Sequence, residues 1–281
     1  MSTTLRDALA ERAANLRHPV DQRGRIKGLA IVLAAVALYI FALVDLDIAP
    51  SRLLNGLGRL GDIAGLMLPP DPHDWDRFWL YMNALGQTLS IAFLGTFLAA
   101  AFAFPIGFLA ARNIVASRVL NFCTRRSLDT IRSVDTLIWA LIWINVVGLG
   151  PFAGALAIAC ADFGAFGKLM SEAIETTDRR PVDGILSTGG SRLQSIRFGV
   201  IPQILPVLAS QVLYFFESNT RSATIIGIVG AGGIGLHLSE QIRVLEWQQA
   251  SFLILMVLVT VALIDQISQR LRAAIIGRRA T

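Results

Sequence analysis

Charge is what this sequence has little of. Asp, Glu, Lys and Arg make up 16% of its 281 residues, whereas soluble domains carry about 25%. Blocks of roughly 17 to 25 apolar residues have the length that a helix needs to cross a bilayer, and they lack the polar face of a soluble core helix. The composition excludes a soluble globular protein and predicts an all-α membrane protein. The charge-free blocks are residues 28–44, 88–111, 136–161, 198–216, 222–239 and 247–264.

Reactive side chains are also scarce. The chain has 2 cysteines and 3 histidines, and neither Cys123 nor Cys160 has a metal-ligand spacing or a neighbouring base, so we expect both to be inert. Residues 230–235 contain a formal G-x-G-x-x-G, but without the strand and helix that a dinucleotide site needs. Residues 164–168 imitate a phosphate-binding loop, with too short a spacing and with Leu169 where Ser or Thr is required. We therefore predict no catalytic residue, no metal site and no nucleotide site, and an enzyme is the weakest interpretation.

The few charges are distributed unevenly. Residues 1–27 hold six basic and three acidic side chains, residues 112–135 hold five and two, and residues 270–281 hold four arginines and no acid. Residues 45–87 reverse this pattern with six Asp and three Arg. Because basic segments stay on the cytoplasmic side of a membrane protein, both termini are predicted to be cytoplasmic. The basic excess then reflects topology in a lipid bilayer, and we expect no nucleic acid partner.

Two cytoplasmic termini require an even number of spans, and six fit the pattern. Counting residues 222–239 as a full span would place the Arg-rich tail outside, so we expect a long or broken fifth helix followed by a glycine-rich turn. The predicted spans are residues 28–44, 86–111 with a kink at Pro105, a third helix that follows the basic stretch 112–132 and ends near Gly148, 152–172, a fifth starting at Ile201, and 247–268. Arg270, Arg272, Arg278 and Arg279 would follow in the cytoplasm.

This pattern divides the chain into one membrane domain with an additional helix before it. The Trp and Tyr residues of 75–81 suit a membrane interface, and packing there is preferred over ligand binding. The predicted divisions are a cytoplasmic segment 1–27, an additional transmembrane helix 28–44, a periplasmic segment 45–85, a transmembrane domain 86–275 with a cytoplasmic loop at about 173–201, and a cytoplasmic tail 276–281.

The cytoplasmic loop has a distinctive spacing. Three residues separate Asp183, Gly184 and Ile185 from Gly189, and nine further residues separate Gly189 from residues 199–202, Gly-Val-Ile-Pro. Gly189 would allow a turn that other residues reach with difficulty, and the proline suits the first turn of the next helix. An ordinary amphipathic loop on the membrane surface is the alternative interpretation.

A second polar segment, residues 217–224, is predicted to lie in the outer half of the fifth helix. Glu217 and Arg221 are four residues apart and share one face of a helix, so they can pair. Ionisable groups at membrane depth face a bundle interior or a water path. The sequence leaves open whether this pair is structural or lines a path, where Arg221 would suit an anionic substrate.

Isolated polar residues complete the list. Asp162 falls about midway along the fourth helix, where a carboxylate is either functional or satisfied by a partner. Asn145 is predicted to form a hydrogen bond between helices. Glycine-rich residues 227–235 predict either close backbone approach or a flexible gate near a two-fold axis.

Taken together, these stretches resemble the permease subunit of phosphonate ABC importers. The loop resembles the EAA loop of bacterial ABC importer permeases, although Asp183 replaces Glu, Gly184 and Ile185 replace two alanines, and Gly199 replaces an aliphatic residue. The run 217–224, Glu-Ser-Asn-Thr-Arg-Ser-Ala-Thr, is the most specific part and separates the family from the similar methionine permeases. The resemblance covers about residues 85–275 and also rests on residues 146–154, 168–173, 199–203 and 230–235.

The resemblance implies a type I importer permease fold in the bacterial inner membrane. Two copies of the chain would pair with two ABC ATPase subunits and a periplasmic phosphonate-binding protein, and the partner ATPase would use ATP and Mg, with no cofactor bound by this chain. The implied ATPase-coupling residues are Asp183, Gly184, Gly189, Arg192, Ile196, Ile201 and Pro202. The expected substrate-pathway residues are Asp162, Glu217, Asn219, Arg221, Ser222, Thr224, Gly232 and Gly233.

Two alternatives remain open at the level of sequence. The chain could be a permease for another small solute such as methionine, or a membrane docking protein that transports nothing. Neither the exact phosphorus oxyanion nor the residues that contact it follow from the sequence.

Overall fold

The structure is a computed structural model that describes residues 22–46, 50–115 and 117–277. The cytoplasmic segment predicted for 1–27 lies mostly outside these residues, as do Arg278 and Arg279 of the tail. The described part is helical and contains no β-strand. The chain divides between residues 64 and 65 into two units.

The first unit contains helix α1, Gln22–Asp45, and most of helix α2, Pro50–Leu66. Helix α1 contains an apolar span, Lys27–Asp45, whose side chains are largely exposed, as expected of a helix with apolar residues on all faces. Helix α2 carries leucines 54, 57 and 60 on one face, which is the spacing of an amphipathic helix. The segment predicted as periplasmic therefore contains a helix.

The second unit contains the remaining helices. Helix α3 begins at Trp75 rather than at residue 86, because the polar and aromatic residues 75–85 form its first turns. These helices are α3 Trp75–Ala110, α4 Arg118–Arg132, α5 Thr136–Val147, α6 Pro151–Glu175, α7 Arg179–Ser187, α8 Arg192–Ser195, α9 Ile201–Ile226, α10 Ile234–Arg243 and α11 Trp247–Gly277, with π-helical turns at Ile196–Val200 and Gly227–Ala231.

Small residues allow α3 and α6 to pack closely. A side chain at Gly95 would lie 2.7 Å from Ile158, and one at Gly107 would lie 2.5 Å from Met170. Buried alanines at positions 92, 99 and 103 continue this face of α3 at helical spacing. Glycine and alanine bring helix backbones together in membranes, so this pair forms the centre of the unit.

Five helical stretches are long and apolar enough to cross a membrane, among the residues that the structure describes. They are Lys27–Asp45, Trp75–Ala110, Pro151–Glu175, Arg192–Ala231 and Trp247–Ile275. Helices α4 and α5 make a sixth span only if taken together, and they are bent by 86°. At the bend α4 ends at Arg132, and the Asp135 carboxylate accepts a hydrogen bond from Leu137 N, which caps the start of α5.

The connections agree with the sequence pattern in part. The turn predicted near Gly148 lies between α5 and α6, and the fifth span is long and followed by a glycine break before α10. That span begins at Arg192 rather than at Ile201, because the π-helical turn carries the helix through to Pro202. Helix α11 ends at Gly277 rather than at residue 268.

Candidate functional site

A hydrogen-bonded chain of polar side chains connects the three central helices. The Asn219 amide of α9 donates to Thr96 Oγ1 of α3 at 2.8 Å and to Asp162 Oδ2 of α6 at 2.5 Å. Asn219 and Thr96 are buried. Polar groups at membrane depth need partners, so the amide serves both helices. Asp162, for which the sequence left two interpretations open, has a partner.

Glu217 is the second polar centre, and it contacts two arginines. Its Oε2 accepts a hydrogen bond from Arg272 Nη2 of α11 at 3.0 Å, whereas Arg221 Nη1 lies 3.7 Å from Oε1. The Glu217 side chain is 10% exposed, Arg272 is 22% exposed and Arg221 is 51% exposed. The local pair predicted from the sequence is present, but the closer and more buried partner is Arg272.

Arg272 lies inside α11, with its guanidinium 5.9 Å from the Tyr214 ring. The sequence expected the sixth span to end at residue 268, before this arginine, whereas α11 continues to Gly277. The contact of Arg272 with Glu217 places Glu217 beside the C-terminal half of α11. The cytoplasmic position of Arg272 and the position of Glu217 in the outer half of the fifth span stay predictions. No sequence signal could have found this contact, because the partners are 55 residues apart.

A cavity of about 980 Å³ lies between these helices and the α4–α5 bend. Asp162, Ser218 and Arg272 line it together with Ser210 and Gln211 of α9. The Gln211 Oε1 atom is buried and has no hydrogen-bond partner among the described residues. Arg132 and Asp135 also belong to the lining. The cavity therefore offers two guanidinium groups, two carboxylates, hydroxyls and an unused amide oxygen to a small polar solute.

The remaining predicted pathway residues do not join this cavity. Ser222 donates to Ser218 O at 3.4 Å and Thr224 donates to Thr220 O at 3.2 Å, so both hydroxyls bond back to their own helix. Arg221 projects outward from α9. Of the predicted pathway residues, only Asp162 lines the cavity. Glu217 and Asn219 are buried and contact the lining residues Arg272 and Asp162. The others lie outside the cavity: Arg221 is exposed, Ser222 and Thr224 are half-buried, and Gly232 and Gly233 lie in the glycine segment. Asn145 was wrongly predicted, since its amide donates to Leu141 O within α5 at 2.7 Å.

The glycine segment 227–235 shows the close backbone approach expected from its composition. A side chain at Gly235 would lie 1.9 Å from Thr224 O. Gly232 and Gly233 have φ of 78° and 75°, values that residues with side chains rarely adopt. Ile234 N donates to Thr88 Oγ1 at 2.8 Å, which fixes the segment against α3. Its role as a gate stays a prediction.

Helix α7 occupies the loop in which the coupling residues were predicted. Asp178 caps it by accepting from Arg180 N at 3.0 Å, and Asp183 and Gly184 lie exposed on it. Gly189 ends the turn after it with φ of 84°. The next helix, α8, begins with a capping box, in which Ser191 Oγ accepts a hydrogen bond from Gln194 N and Gln194 Oε1 accepts one from Ser191 N.

The residues after the capping box continue into the fifth span. Arg192 is exposed at its first turn, Ile196 is half-buried at the start of the π-helical turn, and Ile201 and Pro202 begin α9. The predicted coupling residues therefore lie on α7, on the turn at Gly189 and on the first part of the fifth span, from α8 to the start of α9. Their role in coupling stays a prediction.

Gln203 is a residue that sequence reasoning missed. Its Oε1 accepts from Asp178 N at 3.0 Å, and its Nε2 donates to Asp178 O at 3.0 Å and to Gly199 O at 2.7 Å. One side chain thus fastens the start of α7 to the start of α9. The glutamine after Ile-Pro was visible in the sequence, but its partner 25 residues away was not.

Among the described residues, no group of three or more His, Cys, Asp or Glu side chains is placed to hold a metal ion. Cys123 is exposed and Cys160 is half-buried, and both are free thiols.

Comparison with known proteins identifies relatives that match most of the chain. It is 39% identical to the HtxC permease protein of Stutzerimonas stutzeri, named for a phosphite transport system, over 95% of this chain and 93% of that protein. It is 35% identical to the phosphite transport system permease protein PtxC of the same organism, over 86% of each chain. It is 34% identical to the phosphate-import permease protein PhnE of Mycolicibacterium smegmatis, over 90% of this chain and 47% of that protein.

The fold also matches a solved structure. The inward-facing MetNI methionine ABC transporter matches with a TM-score of 0.63 at 18% identity, over 72% of this chain and 99% of that chain. This likeness shows a type I ABC importer permease fold, which the sequence predicted. Residues 103–279 match the family described as binding-protein-dependent transport system inner membrane component. The chain is therefore a multi-pass membrane protein that belongs to this family of transport permeases.

Proposed function

We propose that this chain is the permease subunit of an ATP-driven importer that carries phosphonate, phosphite or phosphate across the inner membrane. The observation that carries the proposal is the similarity along nearly the whole chain to HtxC and PtxC, both named for phosphite transport. PhnE, named for phosphate import, supports the same chemical class. The likeness to a methionine transporter is at 18% identity and concerns the fold alone.

The proposed assembly contains two copies of this chain, two ABC ATPase subunits and a periplasmic binding protein. Helix α7 is the element proposed to dock on the ATPase, because it is short, exposed and clamped through Gln203 to the fifth span. Movement of α7 is then transmitted directly into α9, which carries Glu217, Asn219 and Arg221. The ATPase supplies the nucleotide site and uses ATP with Mg, and this chain binds no cofactor.

The proposed mechanism is alternating access. ATP-driven closure of the ATPase subunits moves both copies of α7, and the paired bundles expose a central path to the binding protein. Arg221 on the exposed face of α9 offers a charge-assisted contact to the entering oxyanion. The cavity lined by Asp162, Ser218 and Arg272 is proposed to receive the solute on its way inward.

Uptake by cells tests the substrate class. Cells that lack their own phosphorus-oxyanion importers would receive this chain with its ATPase and binding protein, and uptake of radiolabelled phosphite, phosphate and a phosphonate would be compared with methionine. The proposal expects uptake of at least one phosphorus oxyanion and none of methionine. Methionine uptake alone would move the chain to another solute class, and no uptake at all would favour a docking protein.

Arg221 tests the proposed path. A charged hydrogen bond contributes about 1.5–3 kcal/mol, so Arg221→Ala should lower uptake on the order of tenfold or more while Arg221→Lys keeps part of it. Arg243→Ala, on α10, is the matched control and should keep normal uptake. Unchanged uptake by Arg221→Ala at equal protein level would remove this residue from the path.

A further inference from the structure

A second cavity lies apart from the proposed path and is strongly basic. It has a volume of about 600 Å³ and lies where the C-terminus of α3 meets α4 and α6. Five cations line it, and Asp129 is the acid among its lining residues. The cations are Arg112, Arg118, Arg125, Arg126 and Lys168.

Three of the cations are engaged in ion pairs. Lys168 Nζ lies 2.8 Å from Asp129 Oδ1, and Arg126 Nη1 lies 3.8 Å from Asp129 Oδ2. Arg125 Nη2 lies 2.5 Å from Glu175 Oε1, and Arg125 Nε donates to Ala110 O. These contacts hold the wall of the cavity in place, so it is a built surface and not a loose run of basic side chains.

Two guanidinium groups have no partner within the described part of the chain. Neither Arg112 nor Arg118 forms a side-chain hydrogen bond or ion pair with any other residue that the structure describes. Five cations set against the two carboxylates of Asp129 and Glu175 leave an excess of three positive charges. Such an excess around one cavity attracts an anion, and guanidinium groups match the oxygens of a phosphate.

The surroundings of the cavity are apolar on one side. Val119 and Phe122 of α4 are 73% and 60% exposed, directly beside Arg118 and Arg126. Phe122 also lines the cavity, and the Arg126 guanidinium lies 5.3 Å from the centre of its ring, so basic and apolar groups share this face of α4. Basic pockets between helices at the membrane interface hold lipid headgroups.

We propose that this cavity binds a phosphate group through Arg112 and Arg118, with Arg126 and Lys168 beside them. The group is either the phosphodiester of an anionic phospholipid, whose acyl chains would cover Val119 and Phe122, or a free phosphorus oxyanion. The two sources share the same oxygen chemistry, and the experiment separates them. The site is distinct from the Asp162–Arg272 cavity and does not depend on the transported substrate.

Direct binding to the purified full-length chain tests the site. The detergent-solubilised protein would be titrated with short-chain phosphatidylglycerol, with phosphatidylcholine and with inorganic phosphate, and bound species would be counted by native mass spectrometry. We expect phosphatidylglycerol or inorganic phosphate to bind, and Arg112→Gln/Arg118→Gln to weaken that binding on the order of tenfold. Phosphatidylglycerol binding without phosphate binding assigns the lipid source, and phosphate binding assigns the free anion.

Two controls keep the result decisive. Arg197→Gln/Arg243→Gln removes two charges outside the cavity and should leave binding unchanged. Arg118→Gln alone, at an exposed side chain without described partners, should keep the wild-type unfolding temperature within about 2 °C and still lower binding several-fold. Equal weakening by the control pair, no binding of either anion, or equal binding of phosphatidylcholine and phosphatidylglycerol without phosphate binding would overturn the proposal.

Discussion

Glu217 shows how one buried carboxylate can be shared unequally. Arg272 approaches it at 3.0 Å from another helix and is mostly buried, whereas Arg221 approaches at 3.7 Å from the same helix and is half exposed. Exposed pairs contribute up to about 1 kcal/mol, while removing one partner of a buried pair costs about 3–5 kcal/mol. The stability of this centre should therefore depend mainly on Arg272, and Arg221 is left available for other contacts.

Double-mutant cycles test this unequal sharing. We expect a coupling energy of about 1–3 kcal/mol between Glu217 and Arg272 and below about 1 kcal/mol between Glu217 and Arg221. Unfolding in mixed detergent would be followed for the Ala variants at each position and for the paired variants. A larger coupling to Arg221 than to Arg272 would contradict the structure.

Gly235 gives a second prediction for a single residue. A methyl group there would lie 1.9 Å from Thr224 O, so the backbone of α9 or of α10 must shift. Gly235→Ala should destabilise the protein by about 2 kcal/mol or more, seen as a lower unfolding temperature in detergent. Gly86→Ala is the control, because Gly86 is an exposed position of α3 and a Cβ added there would meet no atom within 4 Å. This change should be neutral or stabilising by up to about 1 kcal/mol. An equal effect of both changes would contradict the close approach.

The sequence anticipated local contacts at this scale and missed distant ones. The pairing of Glu217 with Arg221 could be predicted from helical spacing alone. The positive φ at Gly189 could be predicted from its place in a turn. Arg272, Gln203 and the partner of Asn219 could not be found, because their partners lie 25 to 123 residues away and are joined only by folding. Asn145 was misassigned because an asparagine in a helix can bond to its own backbone as well as to a neighbour.

Whole helices were easier to predict than their ends. Charge-free blocks located four of the five apolar spans, since the cost of burying charge in lipid shapes composition directly. The span Pro151–Glu175 was located by the turn before it, because the charge-free block 136–161 covers α5 and only the start of α6. The helix ends were not predicted, because the helices extend beyond the apolar blocks into polar residues. Helix α3 begins at Trp75, and α11 ends at Gly277. The bend between α4 and α5 was not predicted, because no glycine or proline separates the basic amphipathic helix from the apolar helix that follows it.

Helices α7 and α9 should move together, because the side chain of Gln203 connects them. Gln203→Ala removes three hydrogen bonds to Asp178 and Gly199, each contributing about 0.5–1.5 kcal/mol. We expect ATP hydrolysis by the assembled complex to lose several-fold of its stimulation by substrate, because α7 can move without α9. The protein level and the ATP hydrolysis without substrate should be unchanged in Gln203→Ala. Gln87→Ala in α3 is the control and should behave as wild type. Normal stimulation in Gln203→Ala would show that the clamp does not transmit the movement.

The orientation of the whole molecule in the membrane is predicted from the charge distribution alone. The basic excess of 112–135 and the loop at α7 are predicted to be cytoplasmic, and the turn at 148–150 periplasmic. With Cys123 and Cys160 replaced by Ser, a cysteine at Ser187 should react with an impermeant thiol reagent only in inverted vesicles. A cysteine at Leu149 should react only in intact spheroplasts. The opposite pattern would reverse the orientation and exclude α7 as the ATPase-docking element.

ATP hydrolysis in liposomes tests the central claim most directly. The full-length chain would be reconstituted with its ATPase and binding protein, and phosphonate, phosphite, phosphate and methionine would be added in turn. Our account predicts that at least one phosphorus oxyanion stimulates hydrolysis and that methionine does not. Stimulation by methionine alone, or by none of the four, would contradict it.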